Sequence, residues 1–380
     1  MPHKPAVDLV FITNTRGTIE DFEGVYSREF PNWHDPGFIP PEVYDWKGVS
    51  LTTPDGHKVY CRFVVIGSDA FDIVNGVNGF RKASDHTKKA IDYAQSLGAK
   101  VICFGAGTKK LVSVKKLHEL NRSKLIYTNG DTVTVGVATQ QLISLTEQVK
   151  ISLNSPETTI LVVGAYGIIG TQLTRFLSNY NCRLILVGPR LEMLEKLVEQ
   201  DFNAHRVELF TNLNQVRQQR INVVLTATNH PDALITPSQL RDWGEYILSI
   251  DIAEPANVKQ DVVQVMRGRL LRVDGALVDS EGFSSEYGPL IGLKEHQSFA
   301  CLAEGLVVAN AIKIKGLRFA ETQLMEVDTG IIQSLMNLTI AAGFRLSIPT
   351  NFGSPLALEE LRKWGEQWRD GHPHFYAAQA

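Results

Sequence analysis

The sequence predicts an α/β fold with a doubly wound parallel sheet at its centre, and two patterns lead to this prediction. In the middle of the chain, short apolar segments such as residues 159–163 and 183–187 alternate with segments of helical periodicity. This alternation is typical of parallel strands joined by right-handed crossovers. A glycine-rich turn at residues 164–170 follows the first apolar segment directly and opens a helix. A strand, a glycine turn and a helix in this order indicate a sheet of the Rossmann type.

The chain has 380 residues, which is enough for two or three domains. We expect an N-terminal α/β domain over residues 1–153, which would bind the substrate, and a Rossmann-type domain over residues 154–290. A C-terminal helical region is expected over residues 291–380. Within it, residues 296–314 and 328–342 have the spacing of two long helices rather than of further strands.

The composition narrows the class of protein. The net charge is −3, so no global attraction toward nucleic acid or an anionic membrane is implied. No apolar run approaches the roughly 18–20 residues that span a bilayer, and no transmembrane segment is expected. The four cysteines are scattered without a CxxC pair, which indicates neither a metal cluster nor a disulfide framework and favours a cytoplasmic location. These cysteines are Cys61, Cys103, Cys182 and Cys301.

The glycine-rich turn is the candidate cofactor site. Its first glycine allows a tight turn, its second lets the backbone approach a pyrophosphate, and its third lets helix and strand pack closely. The helix that follows presents free N–H groups to phosphates. The predicted cofactor-binding residues are Gly164, Ala165, Tyr166, Gly167, Ile168, Ile169 and Gly170. The alternative is a turn that packs a helix on a sheet without any ligand.

The second strand of this unit bears on the choice of dinucleotide. A site for NAD usually offers Asp or Glu at the end of this strand, but here the strand is followed by Gly188, Pro189 and Arg190. An arginine suits the additional 2′-phosphate of NADP, so NADPH is the predicted cofactor. The alternative is a solvated arginine at a helix start. Small residues after a later strand are expected to lie beside the nicotinamide half, namely Thr226, Ala227 and Thr228.

Cys301 is the candidate nucleophile. It lies near the start of a long apolar helix, where the helix dipole can lower the pKa of a thiol. From the pattern alone, a cysteine on an apolar helix is more often a packing residue. His296 could polarise the thiol, and Glu304, one turn beyond it, could orient it. The alternative for both residues is a place on the solvated surface.

The segment around Cys301 resembles a known family. Residues 299–304 read Phe-Ala-Cys-Leu-Ala-Glu, which is similar to the Phe-Ala-Cys-x-Ala-Glu segment of the long-chain acyl-[acyl-carrier-protein] reductases of cyanobacterial type. The three glycines of the cofactor turn match as well, and residues 130–134 match a Gly-Asn-Thr-x-Thr segment except for Asp131. The resemblance extends from about residue 82 to residue 344.

The resemblance implies an activity, together with the residues and partners that the activity needs. It implies NADPH-dependent reduction of an acyl thioester to an aldehyde, with Cys301 as the nucleophile that accepts the acyl group. The implied partners are acyl-carrier protein or a CoA thioester, together with a downstream enzyme that uses the aldehyde. By family position, residues 105–110 would line the acyl pocket; otherwise they form a plain turn. Basic residues around 82–89 and 109–116 are a candidate docking surface or an ordinary solvated face.

Acidic residues replace neutral ones at three places within the resemblance, at Asp131, residues 251–255 and Asp274. Two alternatives therefore stay open. One is an NAD(P)-dependent dehydrogenase of an amino or hydroxy acid in which Cys301 is only structural. The other is a nucleotide-binding relative without catalysis, since one local turn can bind a cofactor while the chemistry needs several regions.

Overall fold

A computed structural model describes residues 7–15, 20, 22, 24, 42–74, 76–121, 124–201, 206–232, 234–286 and 288–371. The chain divides into two compact units, each made of two stretches of sequence. The first unit comprises residues 1–136 and 277–347, and the second comprises residues 137–276 and 348–380.

The described strands, in chain order, are β1 (Leu9–Thr15), β2 (Val43–Thr52), β3 (Lys58–Asp69), β4 (Val101–Phe104), β5 (Ile126–Thr128), β6 (Thr159–Val163), β7 (Arg183–Val187), β8 (Val207–Phe210), β9 (Val223–Thr226), β10 (Ile247–Asp251), β11 (Leu270–Asp274), β12 (Leu277–Asp279), β13 (Phe283–Ser285), β14 (Gln297–Phe299), β15 (Arg345–Leu346), β16 (Thr350–Asn351) and β17 (Ser354–Pro355). The described α-helices are α1 (Ala70–Val74), α2 (Gly76–Ser96), α3 (Val114–Leu120), α4 (Asp131–Gln148), α5 (Ile168–Leu177), α6 (Leu191–Asp201), α7 (Pro237–Trp243), α8 (Gln260–Val265), α9 (Ala300–Lys315), α10 (Thr329–Ala341) and α11 (Leu358–Asp370).

The first unit is built on a mixed sheet in the order β13-β2-β3-β1-β4-β5. Its strands β3, β1, β4 and β5 run parallel, whereas β2 pairs antiparallel with β3 and with β13. Helix α2 buries one apolar stripe, which includes Ala83, Ala90 and Ile91. Helix α9 differs, because apolar residues surround its first three turns and almost all of them are buried. A helix that is apolar on every side is a core helix.

The second unit confirms the predicted Rossmann-type sheet. Its six parallel strands run in the order β8-β7-β6-β9-β10-β11, which is the 3-2-1-4-5-6 order of a doubly wound sheet. Alternate residues of β6 pack on opposite faces of the sheet. Ile160 and Val162 belong to one apolar cluster, and Leu161 and Val163 belong to the other. Such burial on both faces explains the continuous apolar runs in the sequence.

The unit boundaries differ from the predicted ones at residues 153 and 290. The C-terminal helix α11 buries Trp364 and Trp368 in the same cluster as Val149, so α11 belongs to the second unit. Strand β13 pairs with β2, which joins residues 277–347 to the N-terminal part of the first unit. The predicted helix at 296–314 begins instead at Ala300, because residues 297–299 form β14. Among the residues that the structure describes, no helix is long and apolar enough to cross a membrane.

Candidate active site

Cys301 lies in the first turn of α9, directly against the start of α4. Phe299 is the N-cap of α9, so Cys301 is its second residue, and it is half-buried. Gly130, with φ +71, precedes α4 and touches the cysteine: a Cβ atom on Gly130 would lie 2.4 Å from the Cβ of Cys301. Only glycine adopts this backbone angle readily and leaves room for the contact. The carbonyl of Cys301 accepts a hydrogen bond of 3.2 Å from the thiol of Cys103.

An ion pair with a buried carboxylate lies next to this contact. Asp131, the first residue of α4, follows Gly130 and is almost fully buried. One oxygen of its carboxylate pairs with the ammonium of Lys109, which a short 3-10 helix at Thr108–Leu111 carries. The other oxygen, Oδ2, is buried and has no hydrogen-bond partner within the described residues. The sequence analysis places Lys109 on a candidate docking surface and in the segment 105–110 that would line an acyl pocket, and no local pattern links it to Asp131.

The thiol of Cys301 is protonated in this environment. Burial raises its pKa to about 12, and the positive charge of Lys109 opposes that rise, whereas Asp131 and Glu304 add to it. The expectation that the helix N-terminus lowers this pKa is therefore wrong, because desolvation of the thiolate outweighs the helix dipole. A nucleophilic role requires removal of the thiol proton in the presence of substrate.

Glu304 caps α4 from the neighbouring helix α9. It is fully buried one turn beyond Cys301, and its Oε2 accepts a hydrogen bond of 2.7 Å from the backbone N–H of Val133. Its Oε1 accepts a hydrogen bond from the hydroxyl of Thr128. Burial raises the pKa of Glu304 to about 7, although the hydrogen bonds from Thr128 and Val133 act in the opposite direction. The carboxylate thus links the helix that carries Cys301 to the helix that carries Asp131.

His296 occupies a different environment. Its backbone has φ +65, and its ring Nδ1 donates to the carbonyl of Phe283 at 2.9 Å. Its Nε2 lies 3.6 Å from the carboxylate of Glu295. Within the described part of the chain these contacts hold His296 beside β13, and no contact with Cys301 is found. Its catalytic role stays a prediction.

The glycine turn of the second unit has the geometry of a pyrophosphate cradle. Gly164 has φ +84, and a Cβ atom on Gly170 would lie 2.1 Å from the carbonyl oxygen of Gly164. The N-cap of α5 is Gly167, which has no side chain, so no N-cap side chain occupies the N–H groups of the first turn. The residues present therefore fit a dinucleotide phosphate.

The other predicted cofactor-binding residues differ in burial and in the groups that they contact. Ala165 is buried, and its N–H donates to the carbonyl of Val187 at 3.1 Å. The Tyr166 ring lies against Gly188, and the guanidinium of Arg190 stands 5.4 Å from the centre of that ring. Arg190 is exposed at the start of α6. An exposed guanidinium held over an aromatic ring next to the turn is available to a phosphate. The side chain of Ile168 is exposed, whereas Ile169 packs against the core.

Thr226, the last residue of β9, and the two residues that follow it make different contacts. The hydroxyl of Thr226 is buried and donates to Asp251. The carbonyl oxygen of Ala227 would lie 2.6 Å from a Cβ atom on Gly164, so the backbone of Ala227 lines the turn. The hydroxyl of Thr228 donates to the side chain of Asn257 at 2.9 Å.

One of the acidic departures, Asp274, belongs to a network around a buried arginine. Arg272, itself buried, lies between the carboxylates of Asp251 and Asp274. Asp274 also accepts hydrogen bonds from the hydroxyl of Thr350 and from the N–H of Gly353. Burial alone would raise the pKa of Asp274, but Arg272 and these donors hold it below its ordinary value. The charge of Asp274 is therefore paired with Arg272 inside the unit.

Comparisons with known proteins include a family model that matches residues of the second unit. Residues 144–276 match the family model described as shikimate / quinate 5-dehydrogenase. A glutamyl-tRNA reductase from Methanococcus aeolicus is 27% identical over 218 residues, which cover 57% of this chain and 50% of that protein. The chain therefore spans about half the length of this curated relative.

Two solved structures are similar over most of the chain. L-tryptophan dehydrogenase from Nostoc punctiforme aligns with 96% of this chain and 89% of that chain, at 11% identity and a TM-score of 0.43. Malic enzyme from Pyrococcus horikoshii aligns with 99% of this chain and 84% of that chain, at 12% identity and a TM-score of 0.36. The names of the matched family model and of the curated relative denote oxidoreductases, and the matched residues 144–276 carry the doubly wound parallel sheet of the Rossmann type.

Proposed function

We propose that this protein reduces an acyl thioester to an aldehyde with NADPH, through an acyl-enzyme intermediate on Cys301. The observation that carries the proposal is the setting of Cys301. A half-buried thiol in the first turn of α9 touches Gly130 and has the Lys109–Asp131 ion pair beside it. A cysteine that only fills the core needs neither an ammonium near its thiol nor a partly open surface.

The proposed reaction begins with transfer of the acyl group. The sulfur of Cys301 loses its proton and attacks the acyl carbon, the bond from that carbon to the carrier sulfur breaks, and the carrier thiol takes up a proton. After reduction of the acyl carbon, the bond to Cys301 breaks and releases the aldehyde. Overall, an acyl thioester, NADPH and one proton give an aldehyde, a thiol and NADP⁺.

The residues around Cys301 have separate parts in this proposal. The ammonium of Lys109 favours the thiolate, because it lowers the pKa of Cys301 against the effect of burial. Asp131 holds Lys109 in place, and Glu304 positions α4 against α9. Preorganised charge of this kind costs no rearrangement during the reaction.

The second unit would bind the cofactor. Residues 164–170 would hold the pyrophosphate, and Arg190 would bind the 2′-phosphate of NADPH. When bound, the nicotinamide supplies the hydride that reduces the acyl carbon.

The proposed substrates are thioesters of acyl-carrier protein or of CoA, and the aldehyde would pass to an enzyme that consumes it. The name of the curated relative denotes reduction of a glutamyl group attached to tRNA, which is also an acyl group on a carrier. This likeness supports an acyl substrate without selecting the carrier.

The decisive test is the formation of the acyl-enzyme. The protein is incubated with acyl-carrier-protein and acyl-CoA thioesters without NADPH, and mass spectrometry locates the adduct. We expect the acyl group on Cys301, and Cys301→Ala should lose both the adduct and the aldehyde. Cys182→Ala, a change at a buried cysteine of the other unit, is the control. Normal aldehyde production by Cys301→Ala would refute the nucleophile.

A second candidate function is supported by the match with the family model. The match with the shikimate / quinate dehydrogenase model favours a dehydrogenase of an amino or hydroxy acid, although it covers only residues 144–276. In that case Cys301→Ala would keep NADP⁺-dependent oxidation of such an acid. Binding of NADPH without turnover of either substrate class would instead indicate a nucleotide-binding protein without catalysis.

A further inference from the structure

The first turn of α4 contains two buried polar side chains that lack a hydrogen-bond partner. Asp131 is 1% exposed, and its Oδ2 has no partner within the described residues. The next residue, Thr132, is also 1% exposed, and its hydroxyl has no partner in the part of the chain that the structure describes. Buried polar atoms in folded proteins are nearly always paired, which indicates that a further group binds to this turn.

This turn begins against Cys301. A Cβ atom on Gly130 would lie 2.4 Å from the Cβ of Cys301 and 2.7 Å from its Cα. Asp131 follows Gly130 directly, and consecutive Cα atoms are about 3.8 Å apart. The charge of Asp131 also acts on the thiol, because it adds to the raised pKa of Cys301. The unpartnered oxygen of Asp131 therefore belongs to the surroundings of the thiol.

The two carboxylates near Cys301 differ in how completely they are bound. Both oxygens of Glu304 accept hydrogen bonds, one from the hydroxyl of Thr128 and the other from the N–H of Val133. In Asp131 only Oδ1 is bound, by the ammonium of Lys109. An ionised carboxylate accepts hydrogen bonds and donates none, so only a donor can complete Oδ2 of Asp131.

We propose that the acyl group transferred to Cys301 carries a hydrogen-bond donor, a hydroxyl or an ammonium group, which binds Oδ2 of Asp131. The donor lies on the first or second carbon beyond the acyl carbon. When the acyl carbon is bonded to the sulfur of Cys301, these carbons are two and three bonds from the sulfur, so the donor stays close to the residues around the thiol. The inference rests on the proposed function and names the class of its substrate.

A plain hydrocarbon chain would fit this site less well. It would leave the buried Oδ2 of Asp131 without a partner, and an unsatisfied buried polar group is unfavourable. A site that is built to bind a hydroxyl or an N–H group rejects the analogue that lacks this group. The site should therefore select donor-bearing acyl groups over plain ones of the same length.

The first experiment compares acyl groups that differ only in the donor. Butyryl thioesters are compared with butyryl thioesters that carry a hydroxyl or an ammonium group at carbon 2 or carbon 3, on CoA and on acyl-carrier protein, without NADPH. Mass spectrometry measures the rate at which the adduct forms on Cys301. We expect at least one donor-bearing group to react about tenfold faster or more than the butyryl group. The hydroxyl and ammonium arms identify which donor is bound.

Asp131→Asn tests the carboxylate itself. The amide replaces one of the two acceptors with a donor, so the ratio of rates for donor-bearing and plain acyl groups should fall to within about threefold. The ratio is compared because loss of the ion pair with Lys109 changes both rates. Asp85→Asn is the matched control, since Asp85 is an exposed aspartate on α2 of the same unit, and it should keep the wild-type ratio. Thermal melting should show that both variants are folded.

A second measurement does not depend on acyl transfer. Analogues in which a CH₂ group replaces the thioester sulfur cannot transfer the acyl group, and they are tested for protection of Cys301 against iodoacetamide. We expect the preferred donor-bearing analogue to protect Cys301 at a concentration about tenfold lower than the plain analogue does.

The two measurements separate this inference from the proposed function. Selective protection by a donor-bearing analogue without any adduct would support the donor site and refute the acyl-enzyme. Adducts that form equally fast from plain and donor-bearing thioesters would overturn the donor site and leave the acyl-enzyme standing, and so would an unchanged ratio in Asp131→Asn. The absence of both adducts and selective protection would refute both.

Discussion

The carboxylate of Glu304 on α9 accepts a hydrogen bond of 2.7 Å from the backbone N–H of Val133 in the first turn of α4. Helix N-termini are usually capped by a side chain from their own sequence, whereas here the cap comes from a helix 171 residues away. The same carboxylate binds the hydroxyl of Thr128, just before Gly130. Glu304 therefore fixes the backbone that lies against Cys301.

Removal of this cap should destabilise the protein. Glu304→Ala leaves the buried N–H of Val133 without its acceptor, and an unsatisfied buried donor costs about 1–3 kcal/mol. Urea unfolding should show a loss of that size, and acyl transfer to Cys301 should slow as well. Glu295→Ala is the control, because Glu295 is an exposed glutamate six residues before Cys301. Equal unfolding midpoints for the two variants would contradict the capping role.

The protonation of Glu304 should make the stability depend on pH. Its pKa is about 7 in the folded protein, above its ordinary value of 4.5, because burial disfavours the charged form. The folded state therefore binds this proton more tightly than the unfolded state does. The resulting stabilisation is fully present below about pH 4.5 and is lost as the pH rises through about 7. The difference in unfolding free energy between wild type and Glu304→Gln should change over this window, and a constant difference would contradict the raised pKa.

Local sequence patterns predicted part of the fold and of the candidate site. The features that they missed depend on contacts between residues that are far apart in sequence. The turn at residues 164–170 was predictable because strand, glycines and helix are contiguous and each glycine has its own steric reason. The ion pair between Lys109 and Asp131 joins residues far apart in sequence, and neither position has a periodicity that reveals its partner. Strand β14 was predicted as helix because three residues carry too little pattern to show their pairing with β12. The cap that Glu304 provides was missed because it also joins residues that are far apart in sequence.

Alkylation should detect Cys301 before the other cysteines. All four cysteines lie in the described residues, and Cys301 alone is half-buried whereas the other three are buried. Because burial raises its pKa to about 12, its rate of reaction with iodoacetamide should rise about tenfold per pH unit between about pH 7 and pH 10. Peptide mass spectrometry at short times checks the site, and early labelling of Cys61 or Cys103 would contradict the described burial.

Lys109 should control that reactivity. Lys109→Met removes the positive charge that favours the thiolate, so alkylation of Cys301 at a fixed pH should slow by about threefold to tenfold. Lys109→Arg should restore most of the rate. The double variant Lys109→Met with Asp131→Asn is compared with Asp131→Asn alone, because Asp131 opposes the effect of Lys109 on the thiol, and this comparison leaves no unpaired buried carboxylate. Lys110→Met, the adjacent basic residue, is the control. An unchanged rate in both Lys109→Met variants would show that the ammonium does not act on the thiol.

Arg190 should decide between the two dinucleotides. It is exposed next to the glycine turn, its guanidinium lies over the ring of Tyr166, and a 2′-phosphate would gain charge-assisted hydrogen bonds from it. Because such bonds contribute about 1.5–3 kcal/mol, Arg190→Ala should weaken NADPH binding by about tenfold to a hundredfold and leave NADH binding nearly unchanged. Fluorescence titration with each dinucleotide measures both affinities. Arg183→Ala removes an arginine that is paired with Glu208 at the other end of β7, and it should change neither affinity. Equal losses for NADPH and NADH in Arg190→Ala would show that Arg190 supports the turn and does not read the 2′-phosphate.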